Sequence, residues 1–384
     1  MLSLTEHLLK HAGSLIVVLD RENNAEYVSS SAMQVLGFDS AELLGEGWIR
    51  HTRNSETERE QFIEKLSLIR QGKKMTSSEE RLLRTASGGE RWILWNTSTF
   101  DEGKVIGIGY DITERKRQQK ILEDRTRELH ERNTEITDSM KYAQRIQESI
   151  LPESDLLKTS FADGFVLYKP KDIVSGDFWW HHKREDSIFI SLADCTGHGV
   201  PGALMSVMAH SIFKEVFINR KINDPAELLH EIDKELFATL NRNHSGDPYK
   251  DGMDVALCRY DVRTRVMHYA GAFRPLFIVR NGNVIEISAC RYPIGFYDNA
   301  DKLFTTQEIQ LESGDACYIF SDGYADQFGG EKGKKLNKPR FRELLLTIQE
   351  MTMDEQRDFL EYAHNNWKQK ESQTDDIAVI GFRI

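Results

Sequence analysis

Residues 113–151 contain few turn formers and many Glu, Arg, Lys and Gln. Within them Leu122, Leu129, Ile136, Ala143 and Ile150 recur at every seventh position. That period is the seam of one long helix that packs on a partner helix. The companion seam positions, Gln119, Thr126, Asn133, Met140 and Gln147, are mostly polar. A half-polar seam predicts a marginal coiled coil, which shifts register at small energetic cost and suits a signal relay. The other reading is an amphipathic helix lying on its own domains. Pro152 stops the helix. The chain's 384 residues exceed one typical core. The helical segment, residues 114–152, therefore separates two domains, residues 1–113 and residues 160–384.

In the first section, residues 14–20 (Ser-Leu-Ile-Val-Val-Leu-Asp) read as a short buried strand, followed by a turn and a second strand at 26–28. Residues 31–36 read as a short helix ended by Gly37. Residues 91–100, rich in Trp, Ile, Leu and Thr, read as a strand. Asp101-Glu102-Gly103-Lys104 is a hairpin turn into a partner strand at 105–112. Strands, small helices and a closing hairpin indicate a compact α+β domain. Three stretches carry a resemblance: residues 13–20, the run Met33-Gln34-Val35-Leu36-Gly37-Phe38, and Gly107 through Asp111-Ile112-Thr113-Glu114-Arg115-Lys116. Together they resemble a PAS sensor domain passing into a signalling helix. The PAS ligand stays unassigned. A flavin-binding PAS domain needs a cysteine-containing motif, and residues 1–113 have no cysteine. A haem-binding one needs an axial histidine; His51 is the nearest candidate and reads as a loop residue.

The third section mixes strands and helices. Residues 187–193, 255–260, 266–270, 276–279, 317–320 and 377–384 read as strands, and 202–218 and 224–240 as helices. Aspartates sit at strand ends or adjacent turns in Val174-Ser175-Gly176-Asp177-Phe178, Ala193-Asp194-Cys195-Thr196-Gly197-His198-Gly199, Phe320-Ser321-Asp322-Gly323 and Thr374-Asp375-Asp376-Ile377. Carboxylates there are costly unless solvated or paired with cations. Hard oxygen donors suit Mg2+ or Mn2+, and one carboxylate can bridge two such ions. Ions so held acidify water and polarise a phosphoryl oxygen. Taken singly, an Asp-Gly after a strand is usually a turn; the ordered set of motifs is more specific.

Those motifs, with Lys169-Pro170-Lys171, Pro201-Gly202-Ala203, Asp251-Gly252-Met253-Asp254 and Ala270-Gly271-Ala272, resemble the SpoIIE/RsbU-like branch of the PPM-type (protein phosphatase 2C-like) phosphatases across residues 160–384. The resemblance implies an α+β fold of two packed antiparallel sheets flanked by helices, with two metal ions, Mn2+ or Mg2+, at one end. It implies that Asp194 bridges both ions, that the backbone carbonyl of Cys195 is a further ligand, and that Asp322 and Asp375 each hold one ion. Asp177 ligates an ion or orients bound water. Asp376 adjoins the site and is the substitute for Asp375. Ala378 stands where many relatives have Thr.

Other residues keep two readings. His198 is a general acid for the leaving oxygen or a turn histidine. Lys169 and Lys171 meet the substrate phosphate or are a solvated pair. Asp254 is read as structural, Trp179 and Trp180 as packing or groove residues, and His181 and His182 as no metal site.

The formal net charge of −11 disfavours nucleic acid and anionic membrane as partners. No apolar run reaches bilayer-spanning length, and residues 1–10 lack the layout of a secretory signal. The four cysteines are far apart, with no CxxC pair. The expectation is a cytoplasmic protein, dimeric through the linker helix. It removes phosphate from a phosphorylated protein, by resemblance an anti-anti-sigma (STAS) type regulator in bacterial partner switching. The rival reading is a catalytically inactive phosphatase-fold module that only binds a phosphorylated partner, and a third is a phosphatase of small phosphoesters.

Overall fold

The computed structural model describes residues 14–53, 55–72, 77–101, 103–242, 250–295 and 302–384, in two compact units that divide between Asn133 and Thr134. The N-terminal decapeptide, Gly13 and Glu102 lie outside these residues.

The first unit is one antiparallel sheet of β1 (Leu15–Leu19), β2 (Ala25–Val28), β3 (Ser77–Arg84), β4 (Glu90–Phe100) and β5 (Lys104–Asp111), in the order β2-β1-β5-β4-β3. Alternation puts Leu15, Val17 and Leu19 into a core shared with Trp48, Leu66 and Trp95. Helices Ser31–Leu36, Gly47–Thr52 and Glu56–Arg70 cover one face. His51 lies on the second of these helices, not in a loop, and its ring sits 4.9 Å from that of Phe38. Asp111 and Thr113 join the sheet to the long helix Thr113–Ile150. Asp111 Oδ1 accepts the Thr113 N–H at 2.8 Å, and Thr113 Oγ1 accepts the Trp92 N–H at 2.9 Å. Arg115 and Lys116, in the first turn, both pair with Glu80. The Asp-Ile-Thr-Glu-Arg-Lys run thus anchors a helix start to the edge of β4.

The second unit stacks two five-stranded antiparallel sheets. One holds β7 (Asp177–Arg184), β8 (Ser187–Cys195), β9 (Met253–Asp261), β10 (Val266–Ala272) and β13 (Gln307–Gln310). The other holds β6 (Asp163–Lys169), β11 (Leu276–Arg280), β12 (Asn283–Ile287), β14 (Ala316–Phe320) and β17 (Ile377–Arg383). A small ribbon, β15 (Phe328–Gly329) with β16 (Lys334–Lys335), lies between β14 and β17 in sequence. Ile190, Leu192, Cys258 and Tyr269 meet Ile278, Cys317, Ile319 and Ile380 between the sheets. Outside, Phe178, Phe189, Phe213 and Leu229 pack helices Gly199–Arg220 and Pro225–Asn241 on the first sheet. Phe277, Phe320, Phe341 and Leu360 pack helices Lys338–Thr347 and Met353–Lys368 on the second. Four layers result, helix, sheet, sheet, helix, as expected for two sheets with apolar residues on both faces. Cys258 and Cys317 are buried free thiols of the core between the sheets. Among the described residues, no helix is long and apolar enough to cross a membrane.

Candidate functional site

The face between the sheets ends in carboxylates. On β8, Ile188, Ile190 and Leu192 point between the sheets, and the two-residue period carries Asp194 onto the same face. The same count from Ala256 and Cys258 places Asp254 there, and from Trp179 places Asp177 there. Strand register sets Asp177 opposite Asp194, and Asp194 opposite Asp254. The second sheet adds Asp322, just past β14, and Asp375 and Asp376, just before β17. The β14–β17 ladder brings them together, with the Ser321 N–H donating to the Ala378 carbonyl at 2.9 Å. Gly323 presses on the Asp376 carbonyl so closely that a Cβ would collide.

Asp194, Asp254, Asp322 and Asp375 line one cleft with Cys195 and His198. Arg274, on the turn after β10, stands among them. One guanidinium nitrogen lies 2.7 Å from Asp254 Oδ2, 2.8 Å from Asp322 Oδ2 and 3.1 Å from Asp194 Oδ2. Burial works against that charge, and Asp194, Asp322 and Asp254 outweigh it, so the Arg274 pKa is raised. Burial pushes Asp194 up to about 7; Arg274 opposes the rise, and Asp322, Asp254 and Asp375 add to it. Burial, then the charge of Asp194, raises Asp177 well above the ordinary carboxylate range. Asp177 Oδ2 is buried with no hydrogen-bond partner. An orphaned carboxylate oxygen beside carboxylates that share one guanidinium is a set of hard donors short of positive charge, and it fits a divalent cation. Among the described residues, no three of these groups close around one point. Arg274 lies between them, so an ion entering there must take Oδ2 atoms from the guanidinium.

The two members of the doublet are unlike. Asp375 faces the cleft. Asp376 uses both oxygens on backbone: Oδ1 accepts the Lys171 N–H and Oδ2 the Gly176 N–H, each at 2.7 Å. It therefore clamps the loop that carries Asp177. Gly176 is required in that loop, because a Cβ there would strike the Gly197 carbonyl. Ser175 Oγ accepts the Asp177 N–H at 3.0 Å. Ser175 is held in turn by Gln147, whose Nε2 donates to the Ser175 carbonyl at 2.6 Å and to Ser206 Oγ at 2.8 Å. Gln147 Oε1 accepts the Ser175 N–H at 3.1 Å. Gln147, a seam residue by its heptad position, is 3% exposed and belongs to the interior of the second unit.

His198 lines the cleft, and its Nδ1 lies 2.9 Å from Asp172 Oδ2. Lys169 Nζ is taken by Glu361 at 2.7 Å, and the contact of Lys171 with the site is through its backbone. Trp179 packs between the sheets, and Trp180 packs on the Phe217 ring at 4.8 Å. His181 Nε2 bonds Ser160 Oγ at 2.9 Å, and His182 stacks on Trp180. Arg274 and Gln147 have no motif of their own, and sequence reasoning did not single out either as a site residue. The Ala270-Gly271-Ala272 run just before Arg274 is the one local signal.

The family described as Stage II sporulation protein E (SpoIIE) matches residues 184–384, just over half of the chain. The chain belongs to the SpoIIE family. Asp194, Asp322 and Asp375 fall inside the SpoIIE match, and Asp177 just before it. The PAS fold matches residues 9–117. The SiaA-PP2C domain of Pseudomonas aeruginosa is 32% identical, with a TM-score of 0.60 over 66% of this chain and 98% of that domain. The phosphoserine phosphatase RsbP of Bacillus subtilis (strain 168) is 21% identical over 190 residues, 49% of this chain. The chain spans 45% of the length of that curated relative.

Two outcomes follow from this geometry. A raised Asp194 pKa stabilises the metal-free fold at low pH, and that stability is lost as pH rises from about 3.8 towards about 7. In chelator, Asp194→Asn should gain stability over wild type across that window, by at most about 1.4 kcal/mol per pH unit, and level off above it. Thermal melts at stepped pH read the difference; a pH-independent gap would refute the shift. Gln147→Ala leaves buried groups of Ser175 unpaired and should cost the second unit about 1–3 kcal/mol, read as a lower denaturant midpoint. An unchanged midpoint would mean that these bonds do not hold the turn.

Proposed function

We propose that the chain is a metal-dependent protein phosphatase, regulated by its PAS domain, that acts on phosphoserine or phosphothreonine. One observation carries this reading: the inter-sheet face ends in carboxylates with too little positive charge, and one buried oxygen of Asp177 has no partner. Asp194 would be the shared ligand of divalent ions, Mn2+ or Mg2+, held here. Asp322 and Asp375 would each hold one, Asp177 would approach from β7, and the Cys195 carbonyl is a further oxygen donor. Asp376 is assigned to the loop rather than to an ion, because both its oxygens are used. When bound, such ions supply Lewis-acid polarisation of the phosphoryl group and lower the pKa of water.

The chain's own groups do the rest. Arg274, released from Asp194 and Asp322, is the cation next to the cleft that can meet phosphate oxygens. His198, held through Nδ1 by Asp172, keeps Nε2 for protonating the leaving serine or threonine oxygen. The cleft, about 200 Å3 and continuous with solvent, suits a phosphorylated side chain on a protein surface. RsbP, a relative, is named as a phosphoserine phosphatase. We assign the substrate to the STAS-type regulators of partner switching, acting in the cytoplasm. Against the inactive-module reading stands the presence of every expected carboxylate.

Wild-type full-length chain should release phosphate from a phosphorylated STAS protein with Mn2+, and Asp194→Ala should lower the rate on the order of 100-fold or more. No release across a metal series, or undiminished release by the variant, would sink the assignment.

The linker reading is a parallel homodimer through residues 114–152. Leu122, Leu129 and Ile136 are 66%, 68% and 59% exposed in the single chain, at heptad spacing. A second helix at the same heptad spacing would cover them. Asn133→Leu should tighten the dimer and change phosphatase activity. Light scattering reads the first effect, and a monomer at working concentration would contradict the coil.

A further inference from the structure

The second unit carries a basic groove that the phosphatase reading does not use. Residues 331–342 hold six Lys or Arg against one carboxylate, Glu331, in a chain whose net charge is −11. They run through β16 into helix Lys338–Thr347. With the end of helix Met353–Lys368 they form a groove of about 680 Å3, lined by Lys332, Lys334, Lys335, Arg340 and Trp367. Ligand clefts commonly span roughly 300–1,000 Å3. All four cations are exposed. Lys335 pairs with Asp326. Among the described residues, Lys332, Lys334 and Arg340 form no ion pair. The Arg340 guanidinium instead lies 4.3 Å from the centre of the Trp367 ring. Glu331 is the one carboxylate on the wall.

Backbone bonds tie this groove to the carboxylate cleft. Asp322 is followed by the short helix Gly323–Asp326 and then by the ribbon β15–β16. The Leu336 N–H donates to the Gln327 carbonyl at 2.9 Å, and the Asn337 N–H to the Ala325 carbonyl at 2.7 Å. Trp367 Nε1 donates to the Gln327 carbonyl at 3.0 Å, and the Gly330 N–H to the Trp367 carbonyl at 2.8 Å. A Cβ at Gly329 would strike that Trp367 carbonyl, so the ribbon lies close against the helix. Gln327 Oε1 accepts the N–H of Thr374, the neighbour of Asp375, at 3.0 Å. Lys338, exposed at the start of the groove's helix, reaches the cleft with its charge. Burial raises the Asp254 pKa, and Arg274 and, more weakly, Lys338 oppose the rise.

We propose that the groove docks an acidic segment of the phosphoprotein substrate, whose phosphorylated residue enters the neighbouring cleft. The identity of the occupant rests on the phosphatase reading; the preference for Asp and Glu side chains does not. Unpaired cations are complementary to carboxylates, and a patch of one sign on a protein of the other sign concentrates attraction at that place. A nucleic acid strand fits less well, because its continuous phosphates would extend onto a surface that is net acidic. A contact outside the cleft strengthens binding of a protein substrate without touching the reacting atoms.

Fluorescence anisotropy of the full chain with labelled, unphosphorylated oligoglutamate and oligoglutamine peptides of equal length tests the groove without turnover. Oligoglutamate should bind at least about tenfold tighter than oligoglutamine. Lys332→Glu with Lys334→Glu should lose at least about tenfold of that affinity. Lys183→Glu with Lys214→Glu makes the same change of net charge at exposed positions elsewhere on the second unit, and should keep the affinity within about twofold. Lys332→Gln with Lys334→Gln is the milder substitute should the reversal fail to fold. With Mn2+, the groove variant should raise KM for a phosphoserine peptide with glutamate flanks and leave kcat/KM for p-nitrophenyl phosphate within about twofold. Failure of the wild type to hydrolyse either compound would count against the phosphatase reading, and anisotropy would still decide the groove. Four results would overturn the proposal: equal affinity for the two peptides, full oligoglutamate affinity in the groove variant, an equal loss in the control variant, or groove-dependent binding of oligothymidylate tighter than that of oligoglutamate.

Discussion

Repulsion among the carboxylates at the end of the inter-sheet core is the constraint to which the second unit answers. Strand register leaves no freedom here. Once Ile188, Ile190 and Leu192 face the opposite sheet, Asp194 must follow, with Asp177 and Asp254 beside it on paired strands. Burying like charges together costs several kcal/mol per ion unless cations or hydrogen bonds compensate. Arg274 compensates in part, and burial, with the like charges that remain, raises the pKa of Asp177 and of Asp194. Carboxylate sets of this kind bind divalent cations with an affinity that increases as protons leave.

The surrounding loops keep the carboxylates where repulsion would drive them apart. Asp376 ties the loops at Lys171 and Gly176 to the start of β17. Gln147 and Ser175 tie the same turn to the long helix. Ser175 Oγ in turn accepts the amide of Asp177. Sequence distance is thus no guide to coupling: residue 147 and the carboxylate at 177 share one chain of bonds within the second unit.

Much of this was legible in the sequence for physical reasons. Runs rich in apolar and aromatic residues and bounded by turns marked β1, β4, β5, β8 and β14. The helix at 202–218 is real and starts earlier, at Gly199. Helix Glu56–Arg70 and strand Ser77–Arg84 were not legible. Both are charged, half-solvated elements whose few buried residues, Leu66, Ile69 and Leu83, set no clear period. β7 escaped because its buried stretch, Phe178, Trp179 and Trp180, is apolar on both faces and does not alternate. The aspartate doublet stayed ambiguous because what separates Asp375 from Asp376 is two backbone N–H donors, which leave no mark in a side-chain sequence. Gln147 fits the heptad as well as any polar seam residue, and only tertiary contacts with Ser175 and Ser206 reveal its other role. The arginine at 274 is distant in sequence from every carboxylate it meets except Asp254.

These carboxylates are short of cations. Calorimetric titration of Mn2+ into chelator-stripped full-length protein, repeated in two buffers of different ionisation enthalpy, tests it most directly. Saturable binding of two ions with net proton release near pH 7 is expected, with loss of that binding in Asp194→Asn. Absence of binding by the wild-type chain, or binding without proton release that persists in the variant, would contradict it.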